Sequence, residues 1–376
     1  MPSLAECSSS LIWHSSCVLC FKFTAAESPL MPTMPRIPSR TVAGLLFALL
    51  AACAAPAPQL RDVEIPVFPS PPDPPRITYE RSLTSSADVV SESEESAFKR
   101  FVTGEKRTGI GLGKPFGVRV HQGRVFVSDT LRREVIVFDV REGKFFEIGT
   151  QSPGELAKPI GLDVDSVGNL YVCDNSLKQV FVFDRDGTYL RRIGEPEMFE
   201  RPSGLAVNPE GNQVFVVDTG GVNSDRHQVQ VLDAKTGRLL RTISRRGEAD
   251  GELNLPRDAA IGADGNLYVV DGGNFRVQVF TQQGDFVSNF GAVGRQSGQF
   301  SRPKGIDVDR DGNVYVADTA FGNFQVFNSS GQLLLAVGER NSTPGPAKFM
   351  LPAGLAVDED GRIYMVDQYF RKVDVF

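Results

Sequence analysis

The sequence predicts an all-β protein, a six-bladed β-propeller of four-stranded antiparallel blades. Two observations carry that expectation. From residue 114 one unit recurs six times, opening KPFGVRV (114), KPIGLDVD (158), RPSGLAVN (201), LPRDAAIG (255), RPKGIDVD (302) and LPAGLAVD (351). Each opening is followed by an apolar stretch ending in Asp (RVFVSD, NLYVCD, QVFVVD, NLYVVD, NVYVAD, RIYMVD) and then by a third (EVIVFD, QVFVFD, QVQVLD, RVQVFT, NFQVFN, KVDVF). The alternation within these stretches is that of strands. Most units add a fourth, such as YLRRIG or FVSNFG. The leading prolines, 115, 159, 202, 256, 303 and 352, lie 43 to 54 residues apart. Four short strands per unit at that period read as propeller blades. One blade cannot bury both its faces, so neighbours must stack and close into a ring.

Closure needs one more strand. The chain stops at Phe376, after the third strand of blade six. An open blade would leave an exposed edge. ITYERSL (77–83) resembles the internal fourth strand TYLRRIG, so an N-terminal strand is expected to close the ring. Downstream, Phe98, Phe101 and Val102 fall at helical spacing behind Ser91-x-x-Glu94, which fits a capping box. This predicts one short amphipathic helix, about 93–102, packed on the domain as a lid or brace.

The composition agrees with a turn-rich fold: 37 glycines and 24 prolines in 376 residues. A net charge of −6 gives no reason to expect nucleic acid. Three histidines leave little material for a histidine-built metal or catalytic cluster.

The N-terminus reads as a targeting segment. Arg36 and Arg40 precede an apolar run from Val42 to about Ala55, too short for a relaxed transmembrane helix. It ends in Leu50-Ala51-Ala52-Cys53, which resembles a bacterial lipobox. That resemblance implies cleavage before Cys53 and lipidation of it. The expected organisation is an over-extended gene start (1–30), a lipoprotein signal (31–52), a proline-rich tether (53–76), the closing strand and helix (77–103) and the propeller (104–376). Such a chain belongs to the bacterial envelope, outer-membrane-anchored, touching the membrane only through its lipid. With Cys53 lipidated, Cys173 is left unpaired, so no disulfide framework is expected.

The repeat pattern P-x-G-[LIV]-x-V-D-x-x-G-N-[LV]-Y-V-x-D resembles the NHL repeat family over about 260 residues. The resemblance implies a six-bladed propeller that binds protein, peptide or RNA, and secretion disfavours RNA. It points to a non-catalytic scaffold, a monomer or part of a hetero-complex, with an envelope protein or peptide as partner and no cofactor. The alternative is a metal-dependent propeller enzyme, similar to lactonases, gluconolactonases or peptidyl-hydroxyglycine lyases. No Ser-His-Asp or His-cluster spacing appears, so no catalytic residue is assigned.

Asp307, Asp309 and Asp311 have the spacing of a calcium loop. Here they flank an Asp-Gly-Asn hairpin turn followed by a strand, so a structural turn is expected, with calcium as the alternative. Asp129, Asp174, Asp218, Asp271, Asp318 and Asp367 recur at the end of strand two, and sixfold recurrence fits a structural role. The turns joining strands two and three, and the segments entering strand one, share a face rich in cations. On it the expected binding residues are Arg132, Arg133, Lys178, Arg226, His227, Arg276, Arg371 and Lys372. Lys114, Lys158, Arg201, Arg302 and Lys304 lie on the same face. Arg226 and His227 belong to TGGVNSDRHQ, an insertion that sets blade three apart.

Overall fold

The computed structural model describes residues 65–195 and 197–376. The lipobox cysteine Cys53 and the signal segment lie outside the described residues. Six four-stranded antiparallel sheets form, one per repeat. Blade one comprises Pro115–His121, Arg124–Asp129, Glu134–Asp139 and Lys144–Ile148. Blades two to five repeat that order from Pro159, Pro202, Pro256 and Pro303. Blade six consists of Pro352–Val357, Ile363–Asp367 and Lys372–Val375, completed by Arg81–Leu83.

The closing strand is shorter than expected. Only Arg81–Leu83 joins blade six, with Val373 opposite Leu83 and Val375 opposite Arg81. Ser82 reinforces the seam by donating to Asp374 at 2.6 Å. Ile77–Thr78 pairs instead with Val67–Phe68. Phe68 and Tyr79 then pack edge-on against Phe376, at 6.4 and 6.0 Å between centroids. The end of the proline-rich segment is therefore folded onto the domain, not extended as a tether, because its aromatic rings cover the chain's last residue.

The helix forms at Glu94–Thr103. Its cap is Ser93, whose hydroxyl accepts from the Ser96 amide at 3.3 Å, not the expected Ser91. Gly104 ends it at φ 71°. It is not a brace: Phe98, Phe101 and Val102 are 70%, 86% and 67% exposed. Amphipathic spacing shows that a helix has an apolar face; it does not show what that face meets.

The core is divided among the blade interfaces. One cluster joins Leu83, Val366 and Val373 of blade six to Val125, Ile136 and Phe138 of blade one. Five further clusters fill the other blade pairs in turn. Cys173 is fully buried between blades two and three. Burial, reinforced by Asp174 and Asp218, pushes its thiol well above the usual range.

The glycine of the P-x-G motif is a packing requirement. A Cβ on Gly117 would stand 2.5 Å from the Ile160 carbonyl, and one on Gly305 2.5 Å from that of Ala353. On Gly354 it would lie 2.6 Å from the Phe116 carbonyl. The first strands of neighbouring blades thus touch through backbone around the central channel. Blade four alone breaks this ring, with Asp258 in the glycine position.

Two outcomes follow. Leu83→Ala should cost about 2–5 kcal/mol in denaturant unfolding, a large loss for a three-residue strand. Cys173 should resist a thiol reagent in the native protein and react at once in denaturant; fast native labelling would refute its placement.

Candidate functional site

The six repeat aspartates are fully buried. Asp129 accepts from the Gly113, Lys114, Leu131 and Arg132 amides. Asp174 accepts from Ala157, Lys158, Ser176 and Leu177. Asp218 holds Glu200, Arg201 and Gly220; Asp318 holds Ser301, Arg302, Ala320 and Phe321. Asp367 does the same for Met350, Leu351, Tyr369 and Phe370. Asp271 departs: it takes the Asn254 amide and the side chains of Asn274, Arg276 and Gln278. In most blades, then, a buried carboxylate fixes the residue just before the leading proline. In blades one, two, three and five that residue is Lys114, Lys158, Arg201 or Arg302.

Those residues stand at one mouth of the channel. A cavity of about 330 Å³ opens there, lined by Lys114, Lys158, Arg201, Arg257 and Lys304 among others. None of the five forms an ion pair among the described residues. Their charges are felt by one another. Burial, then the nearby Arg201 and Arg302, pulls Arg257 below its ordinary value. Burial, then Arg302, Arg257 and Lys114, brings Lys304 down to about 8. The Lys304 ammonium sits over the Phe116 ring, 4.9 Å from its centroid. Gln368 adds a buried Nε2 with no partner among the described residues.

The channel floor is a network of charges. The Arg119 guanidinium lies 3.2 Å from Asp163 and 4.0 Å from Asp307, and donates to the Leu355 carbonyl at 2.9 Å. Asp163 accepts the Val207 amide of blade three, and Asp307 the Val357 amide of blade six, each at 2.8 Å. Asp258 accepts the Ile306 amide of blade five at 3.4 Å. Each carboxylate thus ties its own inner strand to the next blade, and Arg119 ties three of these blades together. Burial opposes the Arg119 charge, but Asp307, Asp163 and Asp258 outweigh it and hold the guanidinium protonated. Burial pushes the Asp258 carboxyl up to about 7, against the pull of Arg119.

The family model for the NHL repeat matches residues 199–232, 253–280 and 300–327, within blades three, four and five. The chain matches the NHL repeat in three of its six blades. It is 25% identical to Protein brain tumor of Drosophila melanogaster over 152 residues, 39% of this chain and 14% of that protein. It is 27% identical to a probable peptidyl-alpha-hydroxyglycine alpha-amidating lyase of Caenorhabditis elegans over 119 residues, 31% of this chain and 32% of that one. The match thus spans less than a third of either relative. Among solved structures, a protein of unknown function from Bacteroides thetaiotaomicron superposes with a TM-score of 0.57 at 16% identity, over 78% of this chain and 74% of that one. A gluconolactonase from Xanthomonas campestris gives 0.53 at 19% identity, over 70% and 86%. At these identities both likenesses describe the fold.

None of the expected binding residues lines the cavity at the channel mouth, and several are already engaged. Arg132 pairs with Glu134 and Glu147. Arg276 pairs with Asp271 at 3.0 Å and Asp250 at 3.4 Å. Lys372 is 4% exposed and spends its charge on Asp374, so it belongs to the interior of the closing seam. His227 is fully buried, with Nε2 at 2.9 Å from the Gly221 carbonyl and Nδ1 accepting the Leu255 amide at 3.2 Å. Both ring nitrogens are therefore used to fasten the blade-three insertion to blade four. Arg226 donates to the Glu197 and Met198 carbonyls. Arg133, Lys178 and Arg371 hold a left-handed turn position, at φ 62°, 55° and 55°, where blade five has Gly322.

The calcium spacing does not converge on one point. Asp307 belongs to the channel floor, whereas Asp309 accepts the Asp311 and Asn313 amides and the Tyr315 hydroxyl within its own turn. Asp311 is exposed. Sequence reasoning missed Arg257 and Asp258. Their signal was visible: PRDAAI is the one unit in which x-G of P-x-G becomes Arg-Asp.

The floor predicts a pH effect. Asp258 titrates near 7 when folded and near 4 when unfolded, so folding takes up a proton in that window. Stability from this group is present at low pH and is lost as pH rises through about 7. Asp258→Asn should therefore raise the Tm relative to the parent at pH 8 and not at pH 4. Equal Tm differences at both pH values would refute this.

Proposed function

We propose that this NHL propeller is a binding protein whose working surface is the cationic mouth of its channel. The occupant carries a carboxylate or phosphate, either as a small free anion or as an acidic group of an envelope protein or peptide. One observation carries the reading: five cations without ion-pair partners among the described residues line one 330 Å³ cavity. A concave surface of one sign focuses its field and gathers counter-ions. Native proteins rarely crowd cations against one another without something anionic to meet them. In the same reading Cys53 carries a lipid, and the propeller acts as a scaffold in the bacterial envelope.

The metal-dependent alternative needs unlike donors converging on one point. Among the described residues no three His, Cys, Asp or Glu side chains do so. His121 lies on the opposite face beside Glu359, and His227 is consumed by the insertion. The donors among the described residues do not fit a channel metal.

Calorimetric titration tests the proposal, with inorganic phosphate and citrate in one arm and an acidic peptide in the other. Saturable binding should weaken at least tenfold in Arg201→Gln/Arg257→Gln. It should also weaken as salt rises and as pH rises through about 8, where Lys304 loses its charge. Binding unchanged in the double variant, or no binding in either arm, would sink the reading.

A further inference from the structure

Lys304 differs from the other cations of the mouth. Its ammonium has neither an ion-pair nor a hydrogen-bond partner among the described residues, and rests on the Phe116 ring of blade one. Blade six, which stands between blades five and one in the ring, carries only Ala353 at the matching position, so the lysine reaches across it. The acid felt at this site is Asp367, but its oxygens already accept four backbone amides. Here the lysine is surrounded by charges of its own sign, against an aromatic face, in a cavity sized for a small molecule.

We propose that Lys304 is a nucleophile that condenses with the carbonyl carbon of a small anionic aldehyde or keto acid, held in the channel mouth by its neighbouring arginines. This rests on the anion-binding reading above and deepens it. The step balances without oxidant or reductant. The Nζ lone pair forms the C–N bond as the carbonyl π bond opens, and a proton passes from nitrogen to oxygen. The C–O bond then breaks, water leaves, and a neutral imine remains.

Two features support the chemistry. Burial and the surrounding cations bring Lys304 to about 8, so the free amine is abundant at mildly alkaline pH, unlike that of a surface lysine. The groups facing it are Lys114 from blade one, Arg257 from blade four, Arg302 from its own blade and Asp367 from blade six. Asp258 lines the same cavity and, titrating near 7, can give and retake the proton that the departing hydroxyl needs. An imine also carries less positive charge than the ammonium it replaces, which relieves the crowding.

The probe is pyridoxal 5′-phosphate, with 5′-deoxypyridoxal as the control, which lacks the anion and has no hydroxyl to close on its aldehyde. Full-length protein is incubated with each across pH 6–10, reduced with borohydride and mapped by peptide mass spectrometry. Phosphate binding to the parent is measured separately by calorimetry. The expected result is one adduct at Lys304, formed at least tenfold faster with the phosphate ester, rising with a midpoint near pH 8, and lost in Lys304→Arg. A cooperative melt of that variant shows that its fold is kept. Adducts scattered over surface lysines, or undiminished labelling of Lys304→Arg, would overturn the proposal. So would equal rates with 5′-deoxypyridoxal. Phosphate binding without a Lys304 adduct would end this inference and leave the anion site standing; neither binding nor adduct would end both.

Discussion

Five of the six inner strands approach a neighbour so closely that a methyl group has no room between them. Everything else in the molecule is arranged around that contact. The glycines of the repeat set the spacing, the leading prolines start each inner strand, and the buried aspartates hold the chain just before each proline. Backbone contact leaves the channel narrow, so the side chains flanking each proline are the ones that reach its mouth. Where blade four gives up its glycine, an acid enters the floor instead.

Charge is sorted by the same geometry. On the rim, arginines meet nearby carboxylates, and exposed pairs of that kind contribute little to stability. In the floor, one arginine among three acids is desolvated, and removal of one partner there leaves uncompensated buried charge. At the mouth, five cations face each other across a cavity whose lining holds one acid, Asp258. The cations that converge on one cavity are therefore those of the innermost ring of the cationic face.

Much of this was legible in the sequence. Period and alternation give six blades, their register and the need for an outside strand. The recurrence of aspartate at one position gives its structural role, since a site of unlike groups cannot recur sixfold. The missed features depend on distance through space. Rim and mouth cations share one face, and the sequence does not show that Lys158, before an inner strand, reaches a common cavity that Arg132, between strands two and three, does not. The packing of the helix was not legible either, because Phe98, Phe101 and Val102 have the same spacing whether covered or bare. Arg257 and Asp258 were legible as a break in a motif, an exception that the averaged pattern hid.

The seam of blade six joins residues 292 positions apart, as Ser82 to Asp374. Loop closure over such a distance is entropically costly. During synthesis five blades can stack as they emerge, but the sixth waits for Val373–Val375 to meet Arg81–Leu83. Until Val373 finds Leu83, the nascent protein is an open arc with two unpaired edges. A chaperone that delays folding until both strands of the seam have emerged would suit this topology better than one that folds it piecemeal.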